Sequence, residues 1–113
     1  MARDSLELMQ GTVAVLILKS LSWRPMHGYD ISRWIRGRSD GALGLEDAAL
    51  YQALHRLERK GWIEAEWGLS ESNRKAKFYR LTDEGRRQLQ AEVSTWRRYV
   101  EAVSKVLDEA EAV

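Results

Sequence analysis

Apolar residues recur at helical spacing in four stretches of this chain and alternate with polar residues in a fifth. Helices are predicted over residues 5–21, 29–36 and 45–60, and a last helix begins after residue 82. Residues 62–67 alternate between apolar side chains and glutamates, as in a half-exposed strand. The pattern therefore predicts a mainly α chain with a small β element.

The first predicted helix is apolar on two sides. One face carries Leu6, Met9, Val13, Leu16 and Ile17, and the other carries Leu8, Val15 and Leu18. A helix apolar on two sides is buried on two sides. We expect one face to pack against the domain and the other against a partner subunit or a ligand. Burial of both faces within its own domain is the alternative.

A break separates the first helix from the second. Pro25 lacks a backbone donor and Gly28 adopts turn conformations readily, so residues 22–28 are predicted as a connection. The second helix is predicted to bury Ile31, Trp34 and Ile35, and three glycines make residues 37–44 a loop. The polar side of the second helix carries three arginines, which either bind phosphates or solvate the surface: Arg33, Arg36 and Arg38.

The third helix has one apolar and one open face. Leu50, Leu54 and Leu57 form the buried stripe, and Gly61 is predicted to end the helix. The opposite side carries small residues near the start and polar or basic residues farther on: Ala48, Gln52, His55 and Arg59, flanked by Tyr51 and Arg56. A helix entering a major groove needs such a face. An ordinary solvated face is the alternative.

A hairpin with a basic second strand follows this helix directly. Residues 62–67 form the first strand, 68–74 a polar turn and 76–81 the returning strand. A helix followed at once by a cationic hairpin is typical of a winged helix-turn-helix, whose wing reaches phosphates or the minor groove.

The last helix carries a heptad repeat. Thr82 is a plausible N-cap, and apolar residues then follow at alternating spacings of four and three. They are Leu89, Val93, Trp96, Val100, Val103, Leu107 and Ala110. We expect this helix to pack on a second copy, with folding back onto its own domain as the alternative. The predicted units are a winged helix-turn-helix domain in residues 1–81 and a dimerisation helix in 82–113.

Charge is separated along the chain although the net charge is only +1. Residues 74–87 hold six basic and two acidic residues, whereas residues 101–113 hold four acids and one lysine. A local basic patch is what phosphate binding requires. The near-neutral total disfavours a nonspecific architectural DNA binder.

The residues of enzyme and metal sites do not form recognisable motifs. Cysteine is absent, the two histidines lack metal-ligand spacing, and no phosphate-binding loop or nucleophile motif occurs. We therefore expect no enzyme activity, no metal and no cofactor. The start lacks a signal-peptide pattern and no apolar run approaches the ~20 residues of a membrane span, so a cytoplasmic location is expected.

Trp96 occupies the heptad seam, where a large ring leaves a gap beside it. One hypothesis is that two copies enclose an apolar cavity there for a planar aromatic effector. Its predicted lining is Val15 or Leu18 with Val93, Trp96 and Val100. Plain interface packing by Trp96 is the alternative.

Four segments, taken in order, resemble the PadR family of bacterial transcriptional regulators. They are residues 16–18 (LIL), 26–31 (MHGYDI), 49–63 (ALYQALHRLERKGWI) and 77–85 (KFYRLTDEG). The resemblance covers almost the whole chain and implies a winged helix-turn-helix repressor on a pseudo-palindromic operator. It also implies dimerisation mainly through the C-terminal helix, aided by the first helix, and release by a small aromatic or drug-like effector. One short C-terminal helix resembles the compact branch of the family.

By position, the resemblance places the third helix, the start of the second helix and the wing on DNA. The implied DNA-binding residues are His27, Tyr29, Ala48, Ala49, Tyr51, Gln52, His55, Arg56, Arg59, Arg74, Lys75 and Lys77. The implied dimerisation residues are Leu89, Val93, Trp96, Val100, Val103 and Leu107.

Two departures from the family pattern bear on specificity. Ala48 and Ala49 stand where relatives often have a small polar residue and threonine, so a hydroxyl contact is lost. Gln52 replaces a frequent proline, and its amide has the geometry of an adenine reader. A merely solvated Gln52 is the alternative. For the chain as a whole, a protein-interaction module without DNA binding is the competing interpretation.

Overall fold

The computed structural model describes residues 11–108 and confirms a mainly helical chain with a small antiparallel sheet. Its elements in order are α1 (Thr12–Leu21), β1 (Met26–His27), α2 (Gly28–Arg38), α3 (Asp47–Arg59), β2 (Ile63–Leu69), β3 (Lys75–Leu81) and α4 (Asp83–Leu107). The part of the predicted first helix over residues 5–10, including Leu6, Leu8 and Met9, and the seam residue Ala110 lie outside the described residues.

The sheet has the strand order β1-β3-β2, and both pairs are antiparallel. In the β2–β3 hairpin, hereafter the wing, Trp67 lies opposite Lys77 and Leu69 opposite Lys75. The strand β1 corrects the prediction of a plain break over residues 22–28, because Met26 pairs with Tyr79. Two residues carry no periodicity, and only the distant β3 makes them a strand.

The core lies where α1, α2 and α3 meet the sheet. The leucine stripe of α3 is buried as predicted, with Ala53 added to it. Six of the largest buried side chains come from four elements: Ile17, Leu18, Ile31, Leu50, Leu54 and Ile63. This core leaves the opposite face of α3 exposed.

Helix α1 is buried from more than one side. Val15 and Leu18 of one predicted face and Ile17 of the other are all buried within the single chain. The expected division into one inward and one outward face is therefore wrong over the described part of the helix. The physical reason is its place between α2 and α3 on one side and α4 on the other.

Helix α2 runs two residues farther than predicted, through Gly37 to Arg38. Ser39 stabilises its end, because its Oγ donates to the Ile35 carbonyl at 2.9 Å and accepts from the Leu43 amide at 3.0 Å. A helical glycine costs only about 1 kcal/mol. Trp34 is half-buried rather than buried, and the Arg38 guanidinium lies 5.7 Å from its ring centroid.

Gly61 ends α3 as predicted. Its φ of 77° lies in the left-handed region, where glycine carries no Cβ penalty. The Gly61 amide donates to the Glu58 carbonyl at 3.0 Å, and the Trp62 amide donates to the Leu57 carbonyl at 3.1 Å. These bonds satisfy the last carbonyls of the helix and turn the chain directly into β2.

The start of α4 is bonded to the start of β2. Thr82 is the predicted N-cap, because its Oγ1 accepts from the Gly85 amide at 3.0 Å, and the same hydroxyl donates to the Gly61 carbonyl at 2.7 Å. A Cβ added at Gly85 would lie 1.9 Å from the Trp62 carbonyl oxygen. This close approach sets the direction in which α4 leaves the domain.

Among residues 11–108, only the first part of α4 packs on the other elements. Leu89 packs against the core and Val93 is half-buried, whereas nearly every side chain from residue 94 onward is exposed. The molecule measures 61 Å along its longest axis and 35 Å along the next. Within the described residues, the helix does not fold back onto its own domain beyond Val93.

Candidate nucleic-acid interface

A cleft of about 900 Å³ lies between the start of α2, the exposed face of α3 and the wing. We call it the head cleft. It brings together seven of the residues predicted to bind DNA: His27, Tyr29, Tyr51, His55, Arg74, Lys75 and Lys77. The other five lie exposed on α3 outside the cleft lining: Ala48, Ala49, Gln52, Arg56 and Arg59.

His27 is held within the fold rather than presented freely. Its Nδ1 accepts a hydrogen bond from the Asp30 amide at 3.3 Å, which caps α2, and its Nε2 lies 3.4 Å from the Asp30 carboxylate. The edge of its ring packs against Phe78, with 5.3 Å between ring centroids. Its contacts therefore orient the start of α2 at the wall of the cleft.

Tyr51 of α3 and the start of α2 are fitted closely. A Cβ added at Gly28 would lie 2.7 Å from the Tyr51 hydroxyl, so a side chain at this position would displace the phenol from the start of α2. Beside this contact Tyr29 is exposed, and the Arg33 guanidinium lies 5.5 Å from its ring centroid. The phenol and guanidinium groups thus form one exposed edge of the head cleft.

The exposed face of α3 makes few contacts with the rest of the described protein. Ala48 and Ala49 leave its first turn without bulk, and Gln52 and His55 follow along the same side. Within residues 11–108, no side-chain hydrogen bond engages the Gln52 amide. Small side chains in the first turn of α3 let the helix approach DNA closely, and the Gln52 amide is free to hydrogen-bond to a base edge.

The basic residues after position 73 do not form one patch. Lys77 Nζ lies 3.5 Å from the Glu58 carboxylate, and Arg80 Nε lies 2.8 Å from that of Glu64. Arg87 pairs with Glu84 at the start of α4, where hydrogen bonds from Gln88 and Arg87 lower the Glu84 pKa. The predicted patch over residues 74–87 is therefore wrong as a continuous surface, because folding pairs half of its charges.

Two exposed cations of the wing form no salt bridge with the described residues. Among the described residues, no carboxylate lies within salt-bridge distance of Arg74 or Lys75. The Lys75 ammonium lies 5.3 Å from the Trp67 ring centroid, and both side chains border the head cleft. The rim of the cleft thus carries these two cations near the end of the wing, with Glu71 of the turn as the one acidic residue of the wing (residues 63–81) that lines the cleft.

Tyr79 closes the inner end of the cleft as a neutral group. Its side chain is buried, and burial raises its pKa, with the negative charge of Glu58 and the neighbouring Tyr51 adding to the shift. The phenol stays protonated at neutral pH. It therefore adds no negative charge to a surface that faces Lys77, whose ammonium lies 5.6 Å from the Tyr79 ring centroid.

Nine of the residues that line the cleft lie outside the predicted DNA-binding set, and the two with the largest exposed cationic or aromatic groups are Arg33 and Trp67. Arg33 was left open between phosphate binding and solvation, and Trp67 was assigned to a core or a strand. Trp67 does lie on the strand, but 61% of its side chain is exposed. The alternation in β2 correctly placed Trp67 on the same face as the buried Ile63. Trp67 is nevertheless exposed because it lies beyond the end of the core, and the sequence alone does not show where the core ends.

A second groove, of about 960 Å³, lies between α1 and the first half of α4. Of the residues predicted for the effector cavity, Val15, Val93 and Trp96 line it. Leu18 does not, because it is completely buried among core side chains. Val100 does not line it either, although Glu101 beside it does, and the Val100 side chain is 39% exposed.

The predicted seam of α4 becomes more exposed toward its end. Leu89 and Val93 are half-buried, and Trp96 stacks on Tyr99 with 6.1 Å between ring centroids. The exposed fractions of the later seam residues are 39% for Val100, 36% for Val103 and 75% for Leu107.

Metal binding and membrane insertion are two further properties that residues 11–108 could carry. No group of histidine and carboxylate side chains in this range is placed to hold a metal ion. None of the helices in it combines the length and apolarity needed to cross a bilayer.

Comparison with known proteins places these features in a family context. Residues 17–91 match the model of the transcriptional regulator PadR-like family. An uncharacterized protein from Lysinibacillus sphaericus is 30% identical over 102 residues, which cover 90% of this chain and 94% of that protein.

Two solved structures share both sequence and fold with the chain. The crystal structure of a PadR family transcriptional regulator from Eggerthella lenta is 32% identical, with a TM-score of 0.73, over 90% of this chain and 86% of that one. A transcriptional regulator from Clostridium thermocellum is 30% identical, with a TM-score of 0.77, over 85% of this chain and 90% of that one.

Proposed function

The chain belongs to the PadR-like family of transcriptional regulators, and we propose that it acts as a homodimeric repressor of a pseudo-palindromic operator. Regulators of this family are not enzymes. In this proposal residues 1–81 bind DNA and residues 82–113 form the dimerisation helix. The observation that carries it is the head cleft, where the exposed face of α3 lies beside a wing whose Arg74 and Lys75 have no carboxylate partner among residues 11–108.

The proposed DNA contacts divide into two kinds. Helix α3 enters the major groove with Ala48 and Ala49 against the duplex, and Gln52 and His55 reach base edges. Arg74 and Lys75 bind phosphates beside the groove, with Tyr29 and Arg33 on the far side of the cleft. Arg56 and Arg59, at the end of α3, bind the backbone.

Dimerisation is proposed to use the exposed seam of α4. The helix has 25 residues and is about 37 Å long, which gives its exposed apolar side chains a long contact line. Covering such side chains stabilises a complex by about 25 cal/mol for each Å² removed from water. Two copies present two α3 helices, which is what successive major grooves about 34 Å apart require.

An effector is proposed to bind at the groove between α1 and α4. Trp96 offers a ring for stacking, and Val15 and Val93 supply apolar walls. Binding of a planar aromatic compound there is expected to change the distance between the two α3 helices. Val100 contributes only if the second copy brings it toward the ligand, and Leu18 is excluded by its burial.

Selection of duplexes from a random library tests the function directly. We expect enrichment of a sequence with two symmetric half-sites, bound with an affinity that falls steeply as salt rises. Replacing Arg74 and Lys75 by alanine together removes two phosphate contacts from each copy of the dimer and is expected to reduce the slope of log K against log salt by about 4. Arg80→Ala is the matched control, because Glu64 already pairs this wing cation.

Two outcomes would contradict the regulator proposal. If no sequence is enriched while the protein still dimerises, the protein-interaction module is the better description. If duplexes bind without enrichment, the protein is a nonspecific DNA binder.

Titration with a panel of planar aromatic compounds tests the effector. We expect a change in tryptophan emission together with weaker operator binding, and loss of both in Trp96→Ala. Trp23→Phe, at an exposed tryptophan outside the groove, is the control. Unchanged emission and operator affinity across the panel would refute the effector proposal and leave Trp96 as interface packing.

A further inference from the structure

The wing carries two large apolar side chains that the domain does not cover. Trp67 is 61% exposed and Leu69 is 66% exposed, and both stand on the same face of β2 because side chains alternate along a strand. The same face begins with the buried Ile63 and continues outward past the end of the core. Neither exposed side chain is explained by folding of the domain.

The two faces of the wing differ in charge. The face that carries Trp67 and Leu69 also carries Lys75 and Lys77 from β3, directly across the hairpin. The opposite face carries Glu64 and Glu66 on β2, which alternate with Trp67 along the strand, and Arg80 on β3, which pairs with Glu64 and leaves Glu66 as the unbalanced charge. A polyanion is therefore attracted to the Trp67 face and repelled by the Glu66 face.

The apolar pair also lies beside the helix proposed to enter the major groove. Trp67 lines the head cleft together with Tyr51 and His55 of α3. A duplex held by α3 brings its neighbouring minor groove toward a wing on this side. The walls of a minor groove are largely deoxyribose rings, which present apolar surface between the phosphates.

We propose that Trp67 and Leu69 pack against deoxyribose rings at the minor groove flanking each half-site, while Arg74 and Lys75 bind the adjoining phosphates. The inference rests on the proposed DNA-binding function. It assigns the wing a contact that depends on the width and deformability of the flanking sequence rather than on base hydrogen bonds. Base pairs outside the α3 contacts therefore contribute to operator choice.

Binding of Trp67→Ala to the selected operator tests this contact. We expect the dissociation constant to rise about tenfold, because the variant loses the apolar contact between DNA and about half of the indole surface. The slope of log K against log salt stays unchanged, because no phosphate contact is removed. Trp67→Phe is expected to recover part of the affinity, and Leu69→Ala to lose less than Trp67→Ala.

Exchange of the flanking base pairs gives a second measurement. The wild-type protein is expected to distinguish A·T-rich from G·C-rich flanks around a constant core operator, and Trp67→Ala is expected to lose most of that discrimination. Trp23→Ala is the matched control, because Trp23 is also 66% exposed but lies outside the head cleft.

Three results would overturn the inference, each for a different reason. An unchanged affinity in Trp67→Ala means that the indole does not touch DNA. A salt slope reduced by about 2, one phosphate contact in each copy of the dimer, means that Trp67 acts only by holding Lys75, whose ammonium lies 5.3 Å from its ring centroid. Loss of the dimer in sedimentation means that the patch covers a second copy of the chain.

Failure of the proposed function is a separate outcome, because it is read from the wild-type protein alone. If the wild type selects no operator, the regulator proposal fails before any variant is compared. Folding of the variants is checked by their unfolding midpoints, which we expect to stay close to wild type because both side chains are mostly exposed.

Discussion

Helices α3 and α4 are both amphipathic, yet the protein covers the apolar face of only one. The leucine stripe of α3 is at most 2% exposed, whereas the seam of α4 is 39% exposed at Trp96 and 75% at Leu107. The head of the molecule is thus complete in one chain, and the arm is not. An apolar stripe shows that a helix face needs cover, but the stripe carries no information about what covers it.

The same contrast recurs among the charged residues. Lys77 and Arg80 are paired by glutamates of the same domain, whereas Arg74 and Lys75 at the end of the wing have no such partner among the described residues. The charged side chains farther along β3 form ion pairs within the domain. Those at the end of the wing remain available to bind other molecules. Function in this protein is therefore expected at the ends of its elements.

Replacing Leu54 by alanine is the strongest test of the comparison. The side chain is 1% exposed, so we expect the free energy of unfolding to fall by about 2–5 kcal/mol. Leu107→Ala makes the same chemical change on the exposed arm and is expected to shift monomer stability by less than about 0.5 kcal/mol. Urea unfolding of both variants at equal, low protein concentration measures the difference. Similar losses in the two variants would mean that α4 is covered within one chain.

Introducing a charge into the seam tests what covers the arm. In the proposed dimer, Val103→Asp buries an unpaired carboxylate, and we expect the dimer dissociation constant to rise by at least about tenfold. Sedimentation equilibrium provides the measurement. Ala102→Asp, which adds the same charge one residue away from the seam, is the control. A dimer that tolerates Val103→Asp as well as Ala102→Asp would show that the seam is not the interface.

The junction between head and arm is tested by Thr82→Ala. The substitution removes the N-cap acceptor for the Gly85 amide and the donor to the Gly61 carbonyl. We expect a loss of about 1 kcal/mol in the free energy of unfolding. Thr82→Ser keeps the hydroxyl and should retain most of the stability. Equal stability of the alanine and serine variants in denaturant titrations would mean that the cap does not hold the junction.

The smallest expected effect is a pH dependence of the free energy of unfolding that arises from Tyr79 in the winged-helix part of the molecule. Burial raises the pKa of Tyr79 above its ordinary value of 10.0, so the folded state holds this proton more tightly than the unfolded state. The resulting stability is present below pH 10 and is lost as pH rises from there toward the folded pKa. Stability measured against pH should therefore fall less steeply above pH 10 in Tyr79→Phe than in wild type.

Tyr99→Phe serves as the control for the pH experiment, because Tyr99 is 52% exposed on the arm. Its profile should follow that of the wild type. Profiles of wild type and Tyr79→Phe that coincide above pH 10 would show that the buried phenol does not couple to folding.

Much of the fold was predictable because its signals are local. The stripe of α3, the end of that helix at Gly61 and the cap at Thr82 each depend on residues within a few positions of one another. For the same reason the outward face of α3 was predicted residue by residue, including Gln52 and His55. These local features, and the family resemblance that they carry, named seven residues that the fold brings together in the head cleft.

The sequence by itself determined which helix and strand faces are apolar, where α3 ends and α4 begins, and the kind of regulator to which the chain belongs. Only the tertiary structure decided which of those faces and charges remain open. Lys77 lies 19 residues from the Glu58 that pairs it, β1 exists only because β3 lies beside it, and Trp67 is exposed because the core ends before it. Burial and charge pairing depend on distances between segments remote in sequence, and those distances follow from the packing of the whole domain.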